Sequence, residues 1–563
     1  MSNLLLRPVE VLSEDDTSTL PRSFTGDTLP CPITVSNLME WRMFDLILAN
    51  GTLIDGTGEK RRRADIGISG DQIAAIDTDL SASNARQCLD ISGRIVCPGF
   101  VDVHNHSDAW LLKTKNLEPK TAQGFTTEVI MADGISYAPM DAGTAPHWIY
   151  YLRSLNALNF EEYDGWTGVG EYLDKLDRRS AQNVISHLPY ANVKAMAAGW
   201  GRQVPDDFQM ERMRADVLRG MEEGAVGVST GIDYIGQCFS TTDEIVEACE
   251  PMARFGGLYV THVRYRKTTL GGVKEAVEIG RRAGVPVHIS HLKGTTPEMT
   301  AELFDYIDNT ARKQVDFSYD VYPYLPGSTM LNFLLPYDVW EQGPLGVLPH
   351  LTDPHVRQEF GRNLANMDLS HIHIAWLPGS DNAHHIGRLL SDYVADTGKA
   401  PEDALCDLLI EENLAVLLVF HHGDDRLIHP WLAHDCYLMG TDGIHFPDGK
   451  VHPRMYGSAP RVLGPCVRDD KLFTLEEAVA KLSDRPARRF GCKNRGQLQQ
   501  GWFADVVVFD EETIADRATY EDPRQLPDGI DHVFVNGVPV IREGRAVDDL
   551  HDPPPGRALR FNQ

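Results

Sequence analysis

Five side chains stand out for the chemistry they could do together. In Pro98-Gly99-Phe100-Val101-Asp102-Val103-His104-Asn105-His106 an apolar run ends in two histidines one residue apart. Residues i and i+2 of a strand point the same way, so His104 and His106 can aim two imidazoles at one point past the strand's end. Neutral imidazole is a ligand for zinc and similar metals. A lone pair of this kind is weak evidence, but the pattern returns. His262 follows the strand-like run 258–261, His291 follows 287–290, and Asp442 follows 436–441. Any one of these histidines could be a hydrogen-bonded core residue. Four imidazoles and a carboxylate, all closing strand-like runs, point instead to a mononuclear or dinuclear metal site.

The elements that must position them follow from the hydrophobic pattern. Residues 44–48, 65–68 and 73–76 read as short strands, with turns at Asn50-Gly51 and Ser69-Gly70-Asp71; 504–509 and 532–540 look alike at the far end. Neither end alone could cover a core, so the two are expected to pair into one small β-domain. Between them strands alternate with helical stretches at 210–223, 244–255 and 270–283. This βα rhythm favours a barrel or a doubly wound sheet, and in a barrel the carboxyl ends of the strands share one mouth. No Gly-rich phosphate loop opens a βα unit, which disfavours nucleotide binding. The segment between Tyr324 and Asp442 exceeds a normal crossover and reads equally as a lid or a packing insertion. His187, His288, His384-His385 and His421-His422 are not expected as ligands; His288 is out of phase with His291 and should pack outward.

Composition narrows the function classes. Hydrophobic residues make up 42% and charged residues 24%, as in ordinary globular proteins. With 53 basic against 81 acidic residues the net charge is −28, which argues against nucleic acid or an anionic membrane as partner. Nine cysteines, an odd number without a C-x-x-C pair, argue against a disulfide framework or zinc knuckle and for a reducing, cytoplasmic setting. No apolar run reaches transmembrane length. The first 32 residues lack a signal-peptide pattern; rich in Ser, Thr, Asp and Pro, they read as an N-terminal arm.

The first motif resembles the first-strand motif of the amidohydrolase superfamily. More narrowly, the chain resembles the N-acyl-D-amino-acid deacylases, or D-aminoacylases. The matches are Ser229-Thr230-Gly231, Thr261-His262-Val263-Arg264, Ser290-His291-Leu292-Lys293, Tyr322-Pro323-Tyr324 with Gly327-Ser328-Thr329, Gly440-Thr441-Asp442-Gly443 and His452-Pro453-Arg454. Pro460-Arg461-Val462-Leu463-Gly464, Pro486-Ala487-Arg488-Arg489-Phe490-Gly491 and Ala504-Asp505-Val506-Val507-Val508-Phe509 follow in the family's order. The resemblance implies an α/β fold, a (β/α)8 TIM-like barrel with a small β-domain formed from both chain ends. The expected divisions are an N-terminal extension at 1–42, β-domain parts at 43–97 and 491–563, and the barrel at 98–490 with a long insertion after strand 7.

The same resemblance implies roles. His262 and His291 would hold a tight metal, and His104 and His106 a second position. Asp442 would be a ligand and the general base. Lys293 and Tyr322 would contact the substrate amide or carboxylate, with Arg454 as a carboxylate anchor. The implied cofactor is a divalent metal, zinc, as one or two ions. The implied partner is a small-molecule substrate bearing a carboxylate; oligomeric state has no signal in the sequence. One departure matters: the family's loop after the second strand carries a cysteine ligand, whereas Asp133 stands there in Met131-Ala132-Asp133-Gly134. A carboxylate can ligate or bridge as a harder donor, so Asp133 is expected as a ligand. The expected reaction is hydrolysis of N-acyl amino acids, of D configuration. Its rivals are a cyclic-amide hydrolase of the dihydroorotase or hydantoinase kind and a silent scaffold. The first usually needs a lysine on the fourth strand, and 225–230 has none. The second should have lost ligands.

Overall fold

Branched apolar residues set between turn formers build the first strands. The computed structural model describes residues 43–563 apart from 82 and 562. The expected extension at 1–42 lies outside the described residues. Strands β1 (Phe44–Leu53), β2 (Arg62–Ser69), β3 (Gln72–Asp77), β4 (Ala85–Asp90) and β5 (Ile95–Pro98) come first. The turn expected at Asn50-Gly51 is instead a bulge inside β1, where pairing with β2 shifts register between Leu48 and Gly51. Asn50 can take the left-handed φ of 67° that a bulge needs, and its N–H donates to Asp65 Oδ1 at 2.7 Å.

The next strands are short and buried: β6 (Phe100–Asp102), β7 (Phe125–Ile130), β8 (Asn183–Ser186), β9 (Leu188–Pro189), β10 (Val228–Gly231), β11 (Tyr259–His262), β12 (Val287–Ile289) and β13 (Phe317–Val321). Strands buried on both faces need helices over them, and this is how parallel sheets are built. The helix Thr269–Ala283 shows the local cause. Thr268 caps it by accepting Gly271 N–H, and Gly284 ends it at φ 72°. Gly280 lets it lie close to the strands, since a Cβ there would sit 2.1 Å from Val287 Cγ2. Past β13 the chain makes a long excursion containing β14 (Ser328–Met330), β15 (Ile372–Trp376) and β16 (Leu417–Phe420), an antiparallel sheet of order β14-β16-β15. It returns at β17 (Tyr437–Met439).

The parallel strands form two sheets, β6-β7-β8 and β17-β13-β12-β11-β10-β9. Backbone hydrogen bonds run between them at both edges. Val103 N–H donates to Met439 O at 3.1 Å on one side. On the other, β8 and β9 flank His187, whose N–H donates to Ile130 O at 3.1 Å, while Leu188 N–H donates to Gly227 O at 2.8 Å. Among the described residues no helix is long and apolar enough to cross a membrane.

The last strands, β18 (Val506–Phe509), β19 (Ile530–Val535), β20 (Val538–Arg542) and β21 (Arg545–Ala546), join the first five in one nine-stranded sheet. The seam is antiparallel, with Val507 opposite Cys97. Its apolar face packs Leu46, Leu48, Ile66, Val96, Val506 and Phe534 together. A buried polar knot ties this sheet to the parallel strands. Asp505 pairs with Arg495, accepts Asn183 Nδ2–H at 3.1 Å and accepts Asn536 N–H at 2.8 Å. Asn536 Nδ2–H in turn donates to Asn183 Oδ1 at 2.8 Å. Removing one partner of a buried ion pair strands the other. Asp505→Ala is therefore expected to lower unfolding free energy by about 3–5 kcal/mol, read by denaturant titration; a loss under about 1 kcal/mol would show that the knot contributes little.

Candidate metal centre

Each site residue is set by the end of a parallel strand. β6 leads into His104 and His106. The carboxylate of Asp102 closes this turn by accepting Thr441 N–H at 2.8 Å and Thr441 Oγ1–H at 2.7 Å and by pairing with buried Lys120. It thereby fastens the His104 loop to the loop carrying Asp442, whose N–H donates to His104 O at 2.7 Å. β7 leads to Asp133, β11 ends at His262, and β12 precedes His291. Asp133, His291 and Asp442 take φ of 57°, 38° and 50°, sparsely populated values that cluster at functional sites. β12 stops at Ile289, earlier than the sequence pattern predicts, because the backbone must turn left-handed to present His291.

The side chains converge. His104 Nε2 lies 3.7 Å from Asp133 Oδ1 and 3.6 Å from Asp442 Oδ1. His106 Nε2 lies 3.2 Å from Asp442 Oδ1 and 3.8 Å from Asp133 Oδ2. His291 Nε2 lies 3.1 Å from His262 Nδ1 and 3.9 Å from Asp133 Oδ1. Two donor groups, His104 with His106 and Asp442, and His104 with Asp133 and His291, are each compact enough for one ion. Asp133 Oδ1 faces His104 and His291, and Oδ2 faces His106.

Donor chemistry decides whether a divalent metal suits these residues. His104 Nε2 and Asp133 Oδ1 are buried without a hydrogen-bond partner among the described residues, a costly state unless a cation completes it. Burial alone would lower the His104 pKa, but the carboxylates of Asp133, Asp320 and Asp442 raise it to about 10. Burial and the neighbouring His262 lower His291 to about 3. Burial would raise Asp442, yet Arg454, His106, His104 and His291 hold it well below the usual carboxylate range. His291 is thus held neutral beside an ionised Asp442, whereas the carboxylates around His104 favour a cation at its ring; imidazole and carboxylate are donors that zinc accepts.

A cavity of about 220 Å³ opens over the cluster, lined by His106, Asp133, His262, His291, Lys293, Tyr322 and Asp442. Lys293 Nζ donates to Tyr322 OH at 2.6 Å, and burial, with Arg454 nearby, lowers its pKa to about 7. Arg454 is fully buried; its Nη1 lies 2.8 Å from Asp442 Oδ2 and its guanidinium packs 4.4 Å over the Tyr322 ring. The guanidinium thus meets Asp442 directly and stands behind the cavity wall. The excursion after β13 supplies Leu325, Ser328, Thr329, Phe333 and Phe420 to the lining, with Leu155 and Tyr234 completing it. His288 does not pack outward: it is buried, with Nε2 2.9 Å from Asp320 Oδ2 and Nδ1 2.8 Å from Ser318 Oγ. Asp320 is the reason, a buried acceptor that also takes His291 N–H at 2.9 Å. Sequence reasoning missed Asp102, Asp320 and Asn156, whose Oδ1 accepts His106 Nδ1–H at 3.1 Å.

Comparison with known proteins follows the same outline. The family model described as "Amidohydrolase family" matches residues 87–323 and 431–541, so the match pauses over the excursion after β13. The chain is similar to D-aminoacylase of Alcaligenes xylosoxydans xylosoxydans, 37% identical over 89% of this chain and 95% of the relative. It is similar to the solved N-acyl-D-glutamate deacylase of Bordetella bronchiseptica, complexed with zinc and a phosphonate inhibitor that mimics the tetrahedral intermediate. There the identity is 32%, the TM-score 0.78, and the match covers 92% of this chain and 100% of that one. A D-aminoacylase described by its binuclear metal centre, where one metal activates and a second attenuates, matches with 33% identity and TM-score 0.76 over 92% and 100%.

An ion that binds only the folded chain stabilises it by mass action. Zinc at 100 times its dissociation constant is expected to add about 2.7 kcal/mol to unfolding free energy, read by denaturant titration with zinc and with a chelator. Coincident curves would remove a metal from this cluster.

Proposed function

The chain belongs to the amidohydrolase family, and we propose that it hydrolyses the amide bond of N-acyl-D-amino acids with zinc as its metal, releasing a carboxylic acid and a free D-amino acid. The observation that carries this reading is the convergence of four histidines and two aspartates at parallel strand ends, with His104 Nε2 and Asp133 Oδ1 buried without a hydrogen-bond partner among the described residues. In this reading His104, His106, Asp133, His262, His291 and Asp442 would hold the metal. The two parallel sheets are read as one (β/α)8 barrel, supported by the hydrogen bonds at both of their edges. The partner is a small carboxylate-bearing substrate. Free cysteines at all eight described positions support a reducing, cytoplasmic setting.

Bound in the cluster, zinc supplies a Lewis acid that acidifies water and polarises an acyl oxygen. Asp442 is the base: its carboxylate takes the water's proton as the carbonyl is attacked and passes it to the amine nitrogen as the C–N bond breaks. Arg454 keeps that carboxylate ionised and oriented. Lys293, with Tyr322, anchors the substrate α-carboxylate and fixes the amide over Asp442. Of the remaining walls, Leu155, Tyr234, Leu325, Phe333 and Phe420 are apolar or aromatic, and Ser328 and Thr329 carry neutral hydroxyls. Lys293 is the one lysine or arginine lining the cavity among the described residues. A substrate with a second carboxylate would bury it without a cation, which is strongly disfavoured.

The function is tested with N-acetyl-D-leucine, N-acetyl-L-leucine and N-acetyl-D-glutamate. The expected order puts N-acetyl-D-leucine first in kcat/KM, about 100-fold or more above N-acetyl-D-glutamate; absence of turnover with every N-acyl-D-amino acid would overturn the function. Metal per chain measured beside kcat tests the site. Asp133→Ala is expected to lose metal and activity together, and Asp133→Cys to keep zinc. Asp442→Asn is expected to keep metal while kcat falls about 10²–10⁴-fold. Full metal and normal turnover in Asp133→Ala would return Asp133 to a turn residue.

A further inference from the structure

Three of the four site histidines share one arrangement: one ring nitrogen turns toward the cluster and the other meets a polar group behind it. For His106 that group is Asn156, at 3.1 Å from Nδ1. For His104 it is Asp320, whose Oδ2 lies 3.7 Å from Nδ1. For His291 it is Tyr265, whose hydroxyl lies 3.4 Å from Nδ1. His262 is turned the other way round. Its Nδ1 faces His291 Nε2 at 3.1 Å, so Nε2 points out of the cluster. That Nε2 is buried and has no hydrogen-bond partner among the described residues. The carboxylate facing it is Asp233, with Oδ2 at 3.7 Å.

Asp233 is buried and held from two sides. Its Oδ2 accepts Arg266 N–H at 3.1 Å, and its Oδ1 accepts the hydroxyl of Tyr337 at 2.6 Å. Tyr337 belongs to the excursion after β13, in the turn Tyr337–Trp340. Arg266 reinforces the same contact from above: its guanidinium packs 4.3 Å over the Tyr337 ring and 5.3 Å over Phe333 and donates to Leu335 O at 3.3 Å. The excursion is thereby connected through one carboxylate to one imidazole of the cluster.

We propose that Asp233 is the positioning residue of His262, holding the proton on Nε2 so that Nδ1 is the free donor, and that Tyr337 of the excursion holds Asp233 in place. A carboxylate behind a ligating histidine fixes tautomer and ring orientation and raises ligand basicity. The remaining neighbours of the His262 ring, Tyr234, Tyr265 and Phe333, pack against it edge-on at centroid distances of 4.9, 4.9 and 6.0 Å. They fix where the ring lies, but the tautomer is left to Asp233. The inference rests on the metal-centre reading above.

The test uses full-length protein loaded with cobalt(II), whose visible spectrum reports ligand geometry, and zinc affinity measured by chelator competition. Asp233→Ala is expected to weaken zinc binding roughly 10–100-fold and to shift the cobalt spectrum. Tyr337→Phe, which removes only the hydroxyl, is expected to move both readouts in the same direction by less. Asp233→Asn decides the matter should the alanine variant fail to fold, since it keeps the volume and loses the charge. Asp233→Glu is expected to recover part of the affinity, which a purely structural role would not produce. Parent-like affinity and spectrum in the folded Asp233 variants would overturn the assignment while leaving the metal centre intact. A parent that takes up no cobalt would overturn both.

Discussion

Buried negative charge governs this molecule. Asp133, Asp320 and Asp442 crowd around His104, all of them largely buried. Carboxylates so placed are tolerated only beside cations or strong donors. Arg454 answers one, His288 and the His291 backbone N–H answer another, and an oxygen of Asp133 has no hydrogen-bond partner among the described residues. A divalent ion is the natural complement. The rest of the architecture serves to keep those groups from relaxing apart: β6 and the Asp442 loop are clamped by Asp102 and Lys120, and three site residues sit in left-handed backbone that only surrounding packing can hold.

The excursion after β13 has the complementary task. The parallel strand ends supply polar, ionisable groups, while the excursion brings Leu325, Phe333 and Phe420 over them. Apolar walls raise the strength of every charge interaction beneath them and limit what can enter. The family model matches the chain on either side of this stretch. A scaffold that holds chemistry on strand ends and selectivity on an added segment can change one without disturbing the other.

Much of this arrangement is legible in the sequence. A histidine or aspartate closing a strand is visible in sequence because a short, mainly apolar run leads into it, as at His262 and Asp442. Helix limits were legible to within a few residues, as at Thr269–Ala283, because caps and glycines mark them. Local pattern failed where long-range partners override it. Asn50-Gly51 reads as a turn but bulges within β1, since β2 continues alongside. His288 reads as outward-facing by strand phase, yet Asp320 on the neighbouring strand draws it inward.

The sequence by itself determined the donor inventory and its order along parallel strands, because periodicity of two and of 3.6 is a local property of the chain. It also determined that Asp133 stands where a thiolate is expected. Only the tertiary structure decided which atoms face one another: that Asp133 offers its two oxygens to different histidines, that Arg454 meets Asp442, and that the excursion reaches His262 through Tyr337 and Asp233. These contacts join residues far apart in the chain, and their geometry is set by strand register and loop packing, neither of which a single sequence encodes locally.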